Sequence, residues 1–152
     1  MKRRACKRLL TAAVLCAALT VPAKAARRSV PVQIDGNPIA VSAYVERGVT
    51  YVPLRALLNT MGAWDVWWDE ATGRAAAASD DIHLWADPAA DTVTVDEKTV
   101  RGRVTVENGV TYVPLRLVGE ALGCQVEWDP YLRGATVTSP GAAYDAGELY
   151  WL

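Results

Sequence analysis

The sequence contains one histidine, His83, and this scarcity limits the chemistry available to the chain. Imidazole-based metal sites and histidine-dependent nucleophilic triads both need more than a lone imidazole flanked by Ile82 and Leu84, which is typical of a half-exposed strand residue. No Cys/His cluster has metal-ligand spacing, and no glycine-rich phosphate loop is present. We therefore predict that the chain is not an enzyme, binds no metal and needs no cofactor.

Cysteine is also scarce. Cys6 and Cys16 fall in an N-terminal leader, described next, which leaves Cys124 as the one thiol of the mature chain. An intrachain disulfide is then impossible, so stability outside the cell has to come from packing. Cys124 follows a helix-ending glycine, and we predict a small buried residue there rather than a reactive thiol.

The N-terminal segment has the pattern of an export signal. Basic residues between Lys2 and Arg8 precede the apolar run Leu9 to Val21, and Ala23-Lys24-Ala25 matches a signal peptidase site. The run is shorter than the roughly 20 residues that a permanent span needs. We predict that residues 1–25 are a signal peptide and that the mature protein is secreted, extracellular or cell wall associated, without membrane contact.

Removal of this leader makes the chain acidic. Six of the 16 basic residues leave with it and none of the 17 acidic ones do, so the mature net charge is 10 − 17 = −7. Nucleic-acid binding depends on neutralising phosphates with Lys and Arg, so it is not expected. Simple electrostatic adhesion to anionic wall polymers is not expected either.

An internal repeat organises the mature chain. The heptapeptide from Val49 to Arg55 recurs letter for letter from Val110 to Arg116, 61 residues later. Flanking residues also match, including Gly48 with Gly109. We predict one two-lobed domain over residues 29–139, with repeat one at 30–79 and repeat two at 91–139. Residues 82–85 are expected to bridge the copies as a strand, and residues 140–152 to be a linker or tail.

Each repeat shows strand patterning before one helical segment. Short alternating runs and turn signals precede Pro53, which favours extended backbone at Val52 and is itself expected at the first helical position. Apolar residues then recur at helical spacing until Gly62, a predicted C-cap. The predicted fold class is α+β, a duplicated small unit of short antiparallel strands with one short helix per copy.

The pattern G-x-T-Y-V-P-L-R, followed by L-G and W-D, resembles the copper amine oxidase N-terminal-like domain family. It occurs at residues 48–69 and again at 109–129. The resemblance implies a non-catalytic, stalk-type module of bacterial surface proteins, without copper chemistry of its own. Its structural motif residues here are Pro53, Arg55, Trp68, Pro114, Arg116 and Trp128.

The C-terminal tail carries a second resemblance. The stretch Leu149-Tyr150-Trp151-Leu152, after a short acidic linker, is similar to the start of the cell wall hydrolase domain of spore-cortex-lytic enzymes. This resemblance implies an alternative function, in which the chain is the targeting part of a hydrolase whose catalytic domain is missing. An ordinary aromatic tail is the other interpretation.

Differences between the two repeats indicate where a ligand could bind. Trp68 and Trp128 occupy equivalent positions and are expected in the core, whereas Trp67 aligns with the charged residue Glu127 and Trp64 lies at a one-residue insertion. Exposed indoles beside carboxylates can stack on a sugar ring and bond its hydroxyls. The predicted binding residues are Trp64, Asp65, Trp67 and Asp69, and the predicted partner is peptidoglycan or another wall polysaccharide. Cover by the other repeat is the alternative.

The two repeated arginines require partners. Arg55 and Arg116 lie in the first turn of each helix, where a cation opposes the macrodipole. We expect each to pair with a carboxylate, either Asp69 and Asp129 or Glu46 and Glu107. Anion binding is the functional alternative.

Overall fold

A computed structural model describes residues 26–40 and 42–141 of the chain. The predicted signal peptide, and the tail from residue 142 that resembles a hydrolase, lie outside the described residues, so both stay predictions. The described part is mostly β-sheet with two helices, which confirms the α+β class. In chain order the elements are β1 (Arg28–Val30), β2 (Val32–Ile34), β3 (Asn37–Pro38), β4 (Ala43–Glu46), β5 (Val49–Pro53), α1 (Leu54–Met61), β6 (Asp65–Asp69), β7 (Arg74–Ala78), β8 (His83–Asp87), β9 (Thr92–Val95), β10 (Lys98–Arg101), β11 (Thr105–Glu107), β12 (Val110–Pro114), α2 (Leu115–Ala121), β13 (Gln125–Asp129) and β14 (Gly134–Thr138).

The two helices begin directly after the repeated prolines. Pro53 and Pro114 keep extended backbone, with ψ of 123° and 119°, so each ends a strand and the helix starts one residue later than expected. The apolar stripe of α1 is buried, and the backbone N–H of Gly62 bonds the carbonyl of Leu58, which confirms the predicted stop. Neither helix, nor any other in residues 26–141, is long and apolar enough to cross a membrane.

A central sheet joins the two copies of the heptapeptide. Its strand order is β1-β4-β5-β12-β11, and every neighbouring pair is antiparallel. In its middle pair, Val52 lies opposite Val113, while Tyr51 and Pro53 lie opposite Pro114 and Tyr112. The identical segments therefore pair with each other, centred on the same valine.

A second sheet contains the predicted bridging strand. Its order is β10-β9-β8-β7-β6, all antiparallel, so β8 lies between the last strand of repeat one and the first strands of repeat two. The prediction of a strand at residues 82–85 is confirmed, with bounds of His83–Asp87. His83 itself is exposed.

A third sheet joins the two ends of the described chain. Its order is β13-β14-β2-β3, and β14 runs parallel to β2, with Ala135 opposite Val32. Asp35, in the turn after β2, stabilises the pairing of β2 with β14. Its carboxylate accepts hydrogen bonds from the backbone N–H and the hydroxyl of Ser139, at 2.8 and 2.7 Å. The second and third sheets thus each combine strands from both repeats.

An ion-pair network connects β4 with β11 across the central sheet. The Arg27 guanidinium bonds Glu46 at 3.0 Å and both oxygens of Glu107 at 2.6 Å, although β5 and β12 separate these carboxylates in the sheet. Arg103 adds a second contact to Glu46 at 3.1 Å. The Arg27 guanidinium also lies 4.3 Å from the ring centroid of Tyr44. Only 6% of the Glu46 side chain is exposed, so this carboxylate depends on its arginines for compensation.

Candidate ligand-binding clefts

A cleft of about 550 Å³ opens between the start of α1, strand β6 and the β11–β12 hairpin; we call it the first cleft. Trp67 and Trp68 both line it and are 42% and 38% exposed, although their side chains leave opposite faces of β6. The hairpin supplies Val106 and Val110 as the opposite apolar wall, while Arg55 and Glu70 are its charged lining residues. One repeat thus provides the helix and strand, and the other provides the hairpin.

A second cleft, of about 380 Å³, is the counterpart of the first with the roles of the repeats exchanged. The start of α2 and strand β13 face Gly48 and Val49 of the β4–β5 hairpin. In the second cleft Arg116 takes the place of Arg55, Trp128 that of Trp68, and Glu127 that of Trp67. The two clefts therefore share a frame but differ in the number of indoles.

Trp67 also forms part of an aromatic ridge on the outer face of the second sheet. Its ring lies edge-on to that of Trp85, with centroids 6.3 Å apart and planes at 79°. Both indoles flank Ala76 in the strand register, and this small residue is fully buried between them. Beyond Trp85 the same face has a shallow pocket of about 320 Å³, which Asp69 and Arg74 also line. The ridge thus separates two concave surfaces.

The predicted binding residues do not all come together. Trp64 is partly buried against the core and lines none of these three cavities, which favours the alternative that it is covered. Asp65 is exposed at the far end of β6 and also lines none of them. Asp69 lines the shallow pocket, but its carboxylate already accepts hydrogen bonds from the Ala71 amide and the Thr72 hydroxyl, at 3.0 and 2.8 Å. These bonds, the Thr72 hydroxyl first, lower the pKa of Asp69.

Trp68 and Trp128 are not core residues, contrary to the prediction. They are 38% and 45% exposed because β6 and β13 are edge strands, and the indole in each case lines a cleft that the hairpin of the other repeat does not fill. Trp68 alternates with Val66, and Trp128 with Val126, and this pattern correctly predicted that both indoles lie on the inward face of their strands. The pattern could not show that this face borders a groove at the edge of the sheet.

Arg55 and Arg116 have different partners from those expected. Arg55 Nη2 donates to the backbone carbonyl of Val66 at 2.8 Å, so it connects helix to strand without a carboxylate. Arg116 pairs with Glu120 on its own helix at 3.3 Å. The carboxylates proposed for them are engaged elsewhere: Asp69 and Asp129 hold turns, while Glu46 and Glu107 bind Arg27.

The first cleft combines indoles with one positive and one negative side chain. Indole faces bind the apolar face of a sugar ring, and charged or hydroxyl groups at the rim can bond its hydroxyls. Within residues 26–40 and 42–141 no group of three or more His, Cys, Asp or Glu residues is placed to hold a metal ion. Cys124 is buried, as predicted, and burial raises the pKa of its thiol.

Two features of the clefts were missed by sequence reasoning. The β11–β12 hairpin comes from the other repeat, and Trp85 comes from the bridging strand; both depend on long-range strand pairing. Arg55, for which anion binding was the functional alternative, lines the first cleft, and position i+4 from it is Asn59 where Arg116 has Glu120.

Comparison with known proteins gives one match. Residues 33–137 match the family model of the copper amine oxidase N-terminal domain. No curated protein and no solved structure matches the chain significantly.

Proposed function

Because the chain belongs to the copper amine oxidase N-terminal domain family, we propose that it is a non-catalytic, stalk-like module that binds a cell wall polysaccharide outside the cell. Family membership suggests the stalk-like role. The polysaccharide is inferred from the first cleft, and peptidoglycan is the ligand to test first. The export pattern of residues 1–25 supports the location.

One observation carries the binding proposal. Trp67 is exposed between the first cleft and Trp85, whereas the equivalent position beside the second cleft is Glu127. A polysaccharide that crosses the first cleft and then Trp85 can pack the apolar face of one ring against each indole.

Retention on purified peptidoglycan tests this proposal. We expect residues 26–152 to be retained and Trp67→Ala to be released, while Trp128→Ala, which removes an exposed indole from the second cleft, serves as the matched control. Trp67→Glu copies the second cleft and is expected to behave as Trp67→Ala does. Equal retention of wild type and Trp67→Ala would show that the Trp67 indole does not contribute to binding. If wild type is not retained, the module is a spacer without a wall ligand.

The duplication is part of the same proposal. We infer that two copies of one α+β unit, at 30–79 and 91–139, form the domain by exchanging strands. Support comes from the identical heptapeptides, from the register that pairs Val52 with Val113, and from the corresponding lining of the two clefts.

The alternative function, the targeting part of a cell wall hydrolase, is favoured only by Leu149-Tyr150-Trp151-Leu152. The DNA sequence downstream of the Leu152 codon tests this alternative. An open reading frame that encodes a hydrolase domain there supports the alternative, and the absence of such a frame in all three forward reading frames contradicts it. Both candidate functions use the first cleft for wall recognition.

A further inference from the structure

We propose that the first cleft selects carboxylate-bearing sugars and that Arg55 is the residue that binds the carboxylate. The inference rests on the proposed polysaccharide function and specifies the ligand class. Arg55 is exposed at the start of α1 and lines the cleft together with both indoles. A guanidinium has five N–H donors. The Val66 carbonyl takes one of them, and no carboxylate within the described residues forms an ion pair with Arg55.

In the second cleft the corresponding arginine has a carboxylate partner. Arg116 has Glu120 four residues later on its helix, at 3.3 Å, whereas Arg55 has Asn59 at the corresponding place. The Val66 bond also fixes the direction of the Arg55 guanidinium, because it joins the side chain to strand β6 at 2.8 Å. A fixed guanidinium with free donors suits the planar, bidentate binding of a carboxylate.

The two charged residues of the first cleft lie near opposite ends of β6. Arg55, on α1, donates to the carbonyl of Val66, the second residue of the strand, whereas Glu70 lies in the turn that follows its last residue, Asp69. Trp67 and Trp68 lie between them. A sugar ring packed against one of these indoles can direct a carboxylate toward Arg55, and a hydroxyl of the neighbouring ring can donate to Glu70.

Calorimetric binding to three soluble oligosaccharides tests the inference. The probes are a neutral N-acetylglucosamine oligomer, a peptide-free peptidoglycan glycan strand with free muramic acid carboxylates, and an oligogalacturonate. We expect wild type to bind at least one acidic probe roughly tenfold more tightly than the neutral one, and higher salt to reduce that preference. Preference for the muramic strand or for the uronate identifies the source of the carboxylate, and either supports the inference.

Variants separate this inference from the proposed function. Arg55→Gln is expected to lose about tenfold in affinity for the acidic probe and little for the neutral one, while Arg116→Gln changes neither. Arg55→Lys keeps the charge and is expected to fall between wild type and Arg55→Gln. Thermal unfolding of each variant verifies that it is folded. Two outcomes overturn this inference and leave the proposed function standing. In the first, binding depends on Trp67 but is equally tight for acidic and neutral probes; in the second, Arg55→Gln lowers the affinity for both kinds of probe equally. Absence of binding to every probe overturns both the inference and the proposed function.

Discussion

Val52 and Val113 lie directly opposite each other in the central sheet, and each is the fourth residue of the same heptapeptide. Both side chains are fully buried. Because the two segments are identical and their antiparallel pairing is centred on the same valine, the two segments have equivalent neighbours in the sheet. Symmetric pairing of this kind explains why the two clefts have corresponding frames on either side of the central pair.

Alanine substitutions at this pair test the equivalence. Val52→Ala and Val113→Ala should each lower the free energy of unfolding by about 2 kcal/mol, since each removes two buried carbons and leaves a small cavity. The two values should agree closely, and the double variant should depart from their sum because the side chains are neighbours. Chemical denaturation measures all three. Strongly unequal single costs would argue against equivalent environments.

The Arg27 network predicts sensitivity to acid. Arg27, ahead of any other group, lowers the pKa of Glu46. A carboxylate with a lowered pKa contributes stability above its unfolded value, about 4.3, and that contribution is lost as the pH falls through the folded value. Glu46→Gln should therefore reduce stability at neutral pH and have a much smaller effect near pH 3.

Urea unfolding at both pH values measures this difference. Glu120→Gln, at an exposed pair within one helix, is the control and should change little at either pH. A Glu46→Gln effect that is as large in acid as at neutral pH would mean that the lost contact is not electrostatic.

Gly134 is predicted to be intolerant of a side chain. A Cβ there would overlap the backbone oxygen of Pro31, because β14 pairs directly with β2. Gly134→Ala should cost roughly 1–3 kcal/mol of unfolding free energy through this overlap. Thr136→Ala, on the same strand and partly exposed, should cost less than about 1 kcal/mol. Equal melting temperatures for Gly134→Ala and wild type would contradict the close approach.

Cys124 should be unreactive in the folded protein. Its thiol is buried and its pKa is raised, chiefly by desolvation, so little thiolate is available near neutral pH. A disulfide-exchange reagent added to residues 26–152 should react at least about tenfold more slowly in native buffer than in guanidinium chloride. Rapid reaction in native buffer would place the thiol at an accessible surface.

Local structure was predictable from the sequence, whereas strand partners were not. Pro53 and Gly62 mark the ends of a short helix through backbone restrictions that act within a few residues, and these boundaries hold to within one residue. The pairing of β14 with β2 joins residues about a hundred positions apart. Several short apolar strands offer equivalent edges, so composition alone does not choose among them.

The candidate site was predicted in part for the same reason. Trp67 is exposed, as comparison of the repeats indicated, because Glu127 marks the position as one that faces water. Trp68 was misplaced because alternation identifies a face of a strand but not what covers that face. The opposite wall of the first cleft, at Val106 and Val110, comes from the other repeat and carries no local signal.

The parallel pairing of β2 with β14 has a mechanical consequence for a stalk. These strands lie next to the two ends of the described chain and point in the same direction. When a pull reaches the beginning of β2 and the end of β14, it slides one strand along the other and loads their backbone hydrogen bonds together. Tension on the module is then resisted as shear rather than by peeling one bond at a time, and the Asp35–Ser139 contact reinforces the end where the load enters β14.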